Sequence, residues 1–192
     1  MTGPVLAALI TAAVALVVSI VSTRTAIHVS RASRKAVMDA ARRTDQRDAY
    51  AGLIKAVSEY RRKTFQLVQL AAEIDSRQAS ILAGEQPRLS SEEAFERRKK
   101  IEEAEDYLPV AEAAAIVELV GPDSLVDAAK DLTAHTYMLS MALSFAGYLL
   151  IEEDGTQSTP DAARPWNAYR QIDDAIQEFV KIARQHLESA YR

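Results

Sequence analysis

No cysteine occurs in the 192 residues, which excludes disulfides, thiolate metal sites and cysteine nucleophiles together. Glycine and proline are scarce, at six each. A chain so poor in turn formers favours long helices over strands, and recurring Ala, Leu, Glu and Arg point the same way, to an all-α fold. Charge is missing altogether before Arg24. The length suits one ordinary domain plus an anchor.

What fills the uncharged start is apolar. Residues Val5 to Ser22 read VLAALITAAVALVVSIVS, and at about 1.5 Å per residue such a helix is roughly 27 Å long, close to the roughly 30 Å of bilayer hydrocarbon. This predicts an N-terminal transmembrane helix over residues 1–23. The competing reading is a cleaved signal peptide, which requires a basic n-region; Met-Thr-Gly-Pro precedes the run instead. Within it Gly3, Ala7, Thr11, Ala15 and Ser19 recur every four residues. Such a small-residue ridge lets two helices approach closely, so Ala7, Thr11, Ala15 and Ser19 are the candidate interface of a homo-oligomer. Chance spacing in an Ala-rich span is the alternative.

Residues 24–47 form a basic neck. Seven basic side chains (Arg24, Arg31, Arg34, Lys35, Arg42, Arg43, Arg47) stand against Asp39 and Asp45, a net +5, while residues 48–192 carry sixteen basic and twenty-five acidic residues, a net −9. Basic residues flanking a span stay in the cytoplasm, which puts the N-terminus outside and the body inside the cell. Arg24, Arg31, Arg34 and Lys35, nearest the span, are the expected contacts with anionic lipid headgroups; the alternative is that they serve as the topology signal alone. The neck lacks Gly and Pro, so the span can continue through it as one helix, and its thin apolar stripe (Ala26, Val29, Ser33, Ala36, Val37, Ala40) is too weak for an autonomous coiled coil. Without interleaved aromatics, and with an acidic body behind it, nucleic acid is not the expected partner.

The body, residues 48–192, reads as an antiparallel four-helix bundle. Tyr50, Leu53, Val57, Tyr60, Thr64, Leu67, Ala71, Ile74, Gln78 and Ile81 keep a three-four spacing that defines one seam, with Thr64 and Gln78 as its weak places. Gly84 and Pro87 should end that helix. Ser90-Ser91-Glu92-Glu93 offers a capping box for the second, which should turn Phe95, Ile101, Ala104 and Leu108 inward, leave Arg97 and Arg98 on a solvated face, and kink or break at Pro109. Gly121-Pro122 closes it and opens a third helix extending to Glu152. The uncharged stretch Thr136 to Ile151 reads as a buried part of that helix; insertion as a second span is the alternative. Glu152 to Pro165 is the longest loop, and Trp166, Tyr169, Ile172, Ile176, Phe179, Ala183, His186, Leu187 and Ala190 form the last seam.

Several segments carry a resemblance: the span with its basic neck, Arg47-Asp48-Ala49-Tyr50, Ile116-Val117-Glu118-Leu119-Val120-Gly121-Pro122 with Ala128-Ala129, and Phe179-Val180-Lys181-Ile182-Ala183-Arg184. In these the chain resembles an uncharacterised group of actinobacterial single-span membrane proteins with a helical cytoplasmic domain. The resemblance implies the layout and the membrane setting, and it brings no activity or catalytic residues.

Chemistry is not evident. A di-iron bundle needs Glu-x-x-His, but Thr25, Leu132 and Ala183 precede His28, His135 and His186 at that spacing. No Walker A loop, Gly-x-Gly-x-x-Gly, Gly-x-Ser-x-Gly or His-Glu-x-x-His occurs. Asp131 and His135, one turn apart, are a helix-surface pair before they are a catalytic one. The expectation is therefore a non-enzymatic interaction or scaffold module without cofactor or metal, acting on an unidentified protein partner at the inner face of the membrane. A membrane-tethered ligand sensor, flexible at Pro109 and around Gly147, and a membrane-remodelling or pore-forming element, phage-encoded in one version, are the alternatives.

Overall fold

In the computed structural model, backbone is described for residues 3–148, 150–151, 157–158 and 163–189, and side chains for residues 30–31, 33–148 and 163–189. The chain divides into two compact units, Met1–Thr44 and Asp45–Arg192. Helix α1 (Gly3–Leu82) supplies residues to both. Among its described side chains, residues 30–31 and 33–45, Arg31, Arg34 and Lys35 included, are exposed. The side chains of Ala7, Thr11, Ala15, Ser19 and Arg24, and of the whole apolar run 5–22, lie outside those described; among the described residues no helix is long and apolar enough to cross a membrane.

Among its described residues the second unit is helical apart from one short hairpin, with α1 from Asp45 onward, α2 (Ser91–Ala104), α3 (Leu108–Val120), α4 (Asp123–Ser144) and α5 (Arg164–Ser189). Side-chain contacts fix the directions. From α1, Gln46 Nε2 donates to the Val120 carbonyl (2.7 Å), Tyr60 Oη to Glu105 Oε1 (3.2 Å), and Arg77 Nη2 to Ser91 Oγ (2.7 Å). Partner numbers fall as α1 numbers rise, so α2 and α3 run antiparallel to α1. The same holds for α5, where Tyr50 meets Phe179 and His186, Arg61 meets Asp173, and Phe65 meets Trp166. Gln46, near the start of this unit, is buried and bonded to the end of α3.

The first seam is buried from Tyr50 through Ile74, while Gln78 is half-buried and Ile81 exposed. Thr64 is tolerated at 1% exposure because its hydroxyl donates to the Tyr60 carbonyl at 2.8 Å, and a buried polar group costs little once bonded. The helix ends where expected. Gly84, at φ +72°, follows the last turn, with Gly84 N–H donating to Ile81 and Glu85 N–H to Ser80, the paired bonds of a Schellman terminus.

The second expected helix is two helices. The break falls at residues 105–107, ahead of Pro109, and Pro109 lies in the first turn of α3, where its missing amide has no partner to lose. Beyond the break α3 takes a helical phase of its own. Ile101 is buried as expected, but Phe95, Ala104 and Leu108 are exposed, and Val110, Ala114 and Val117 take the inward face instead. Arg97 and Arg98, expected in solvent, are half-buried.

Pro122 caps α4 with its carbonyl, accepting from Leu125 and Val126. Gly121 is required by space: a Cβ there would stand 2.9 Å from the Val117 carbonyl oxygen. Helix α4 stops at Ser144, well short of Glu152, and Ala146 and Gly147 form a turn with Gly147 at φ +75°. The uncharged stretch is therefore no single helix. Leu150–Ile151 (β1) and Gln157–Ser158 (β2) then pair antiparallel, in register Leu150 with Ser158, the first where the end of the third helix was expected and the second within the expected loop. Helix α5 starts at Arg164, with Pro165 and Ala168 added to the expected seam. Its side chains Ile172, Phe179 and Ala183 close a core with Leu53, Val57, Leu132 and Leu139, each large apolar side chain contributing about 1.5 to 3 kcal/mol on burial.

Candidate interaction surfaces

Four places in the described part present groups beyond those the core consumes. One is a clamp at the end of α4. Asp75, only 1% exposed, accepts the Gly147 N–H at 2.5 Å, while Arg98 donates to the Ala146 carbonyl at 2.8 Å and stacks on Tyr148 with its guanidinium 4.4 Å from the ring centre. Elements α1 and α2 thus grip the α4 terminus from two sides. A Cβ at Gly147 would stand 2.5 Å from Ile74 Cγ2 and 3.0 Å from Arg98 Nη2, so the close approach and the positive φ both demand glycine.

Nearby, an open polar groove of about 830 Å³ lies between the last turns of α1, the turn after it and the start of α2. Four of its charged side chains are engaged within the fold. Arg77 donates to the Leu89 carbonyl (3.0 Å) and to Ser91, Arg97 pairs with Glu73, and Glu93 closes the capping box, accepting the Ser90 N–H at 2.8 Å while Ser90 Oγ accepts the Glu93 N–H at 3.2 Å. Those bonds, the Ser90 backbone N–H first and its hydroxyl second, hold the Glu93 carboxyl below the ordinary carboxylate range. The groove reads as the joint between α1 and α2.

At the α2–α3 break, burial first and the Glu105 and Asp106 carboxylates second push the Tyr60 phenol above its ordinary value. On the α1 and α5 side, a shallow apolar groove of about 370 Å³ is lined by Tyr50, Ile54, Val180, Ala183 and Leu187, with Arg47 and Arg184 at its rim. His186 packs against the Tyr50 ring, centroids 6.4 Å apart, and Trp166 against Phe65 at 5.7 Å; both are packing residues.

The fourth surface is the outward face of α3. The helix LPVAEAAAIVELV has only Glu112 and Glu118 as charges, and while Val110, Ala114 and Val117 face the core, Leu108, Ile116 and Leu119 face solvent, Leu119 at 85% exposure. A helix apolar on every side belongs inside something. The periodicity of the sequence hid this surface, since Leu108 was assigned to the core and the outward residues adjoin the inward ones.

Arg31, Arg34 and Lys35 lie on α1 within the first unit. Asp131 and His135 share α4. Among the described residues no group of His, Asp or Glu could hold a metal ion. Set against protein families, curated proteins and solved structures, the chain shows no match, so its function is argued from its own residues.

Proposed function

We infer that this protein is a membrane-anchored interaction or scaffold module without enzymatic activity: a single N-terminal span, a basic neck against the anionic inner surface, and an antiparallel four-helix bundle in the cytoplasm that engages a protein partner. The observation that carries the reading is the exposed apolar face of α3, left over when the bundle core is complete. Large side chains held in water at a helix surface mark contact sites. The anchor rests on the apolar run 5–22 and the direction on the neck.

The absence of cysteine makes the test clean. Lys55, exposed on the body helix, is replaced by Cys in the full chain. The protein should stay with the membrane pellet through alkaline carbonate extraction, and an impermeant maleimide should label it only after the cells are opened. Recovery in the supernatant removes the anchor, and labelling of intact cells reverses the direction.

A further inference from the structure

We propose that the exposed face of α3 is the docking site for the neck of a second copy of this chain. The proposal deepens the interaction reading above by naming the partner. Among the large apolar side chains that stand in solvent on regular helices are Leu108, Ile116 and Leu119 on α3, and Val37 and Met38 on the neck, Met38 at 71% exposure. Their surroundings have opposite charge. Glu112 and Glu118 share α3 with its apolar stripe, and Asp123 and Asp127 begin the next helix; Arg34, Lys35, Arg42 and Arg43 bracket Val37 and Met38 and outnumber the one acidic residue between them, Asp39.

Size agrees as well. At 1.5 Å per residue α3 is about 20 Å long, and residues 31–43 of the neck cover the same length, with Val37 and Met38 near the middle. An α3 face against a second α3 face would set Glu112 and Glu118 against themselves, and two necks together would oppose their arginines; like charges across an interface are penalised. Neck on α3 removes both conflicts. A helix pair of this size is small for a stable complex in dilute solution, but under the proposed function both copies are anchored in one membrane, which raises their effective concentration.

The test uses two full-length, differently tagged variants, Met38→Cys and Leu119→Cys, co-expressed and treated with a short bismaleimide. Crosslinking is scored in whichever cell fraction holds the protein, so loss of the anchor and loss of this contact are read separately. The expected result is a mixed-tag dimer at least fivefold above a Lys55→Cys and Leu119→Cys control pair. It should fall to the control level when Glu112 and Glu118 are changed to Lys, and recover when Arg34 and Lys35 in the Met38→Cys copy are changed to Glu. Mixed-tag yield no higher than the control overturns the proposal. So does crosslinking confined to Leu119→Cys with itself or to Met38→Cys with itself, and so does a mixed-tag dimer indifferent to the charge exchange.

Discussion

Two glycines in this protein have opposite meanings, and substitution separates them. Gly147 combines a positive φ with a neighbour that a Cβ would overlap, so Gly147→Ala should destabilise the body by about 2 kcal/mol or more, the sum of left-handed strain and overpacking. Gly52 lies within α1, and a Cβ there meets nothing within 4 Å; Gly52→Ala should therefore stabilise by up to about 1 kcal/mol through helix propensity. Urea unfolding of the full chain reads both, with opposite shifts of the midpoint. Tyr60 gives a further residue-scale outcome. Its phenol titrates higher in the folded protein than in the unfolded chain, so its contribution is fully present below the unfolded pKa of about 10 and is lost as pH rises above it. Tyr60→Phe should flatten the fall of stability between about pH 9 and 11 relative to the unaltered protein, as thermal melts across that window will show.

At the scale of the element, the start of α2 depends on its box. Ser90→Ala removes the hydroxyl that accepts the Glu93 N–H and should cost about 1 kcal/mol. Glu93 works in the other pH direction from Tyr60: its carboxyl is held low in the folded state, so its contribution is present above the unfolded pKa of about 4.3 and disappears as pH falls through and below it. Glu93→Gln, which keeps the reach to the Ser90 amide, should reduce the acid sensitivity measured by circular dichroism between about pH 5 and 3. The break between α2 and α3 is a different kind of element feature. Pro109 marks it in the sequence, but α2 and the break are held against α1 by Arg97 pairing with Glu73 and by Tyr60 meeting Glu105, contacts between residues far apart in the chain.

For the whole molecule, charge is the organising quantity. The neck is basic and the body acidic, and under the proposed function the neck arginines and lysine set which way the chain crosses the membrane. Replacing all seven basic residues from Arg24 to Arg47 by Gln should produce a mixed population, with a fraction of Lys55→Cys chains labelled from outside intact cells. An undivided population, all inside, would show that the basic residues do not set the direction. The Arg61 to Asp173 pair, 2.6 Å and bidentate, joins α1 to α5. It is partly exposed and of the order of 1 kcal/mol, so the packing of Phe179, Ile172 and Leu53 outweighs it.

Local chemistry determined the helical class, the seam from Tyr50 to Ile74, the Gly84 terminus, the Ser90 to Glu93 box and the stop at Gly121-Pro122, because hydrophobic period and capping bonds act within a few residues of one another. Tertiary structure alone decided that α4 turns at Gly147 instead of running to Glu152, since that turn is held by Asp75 and Arg98 from other helices. It also decided that Arg97 and Arg98 are half-buried and that Leu108 and Leu119 are left outside. Each of these depends on which helix lies alongside which, and the spacing of apolar residues along one helix carries no information about its neighbours.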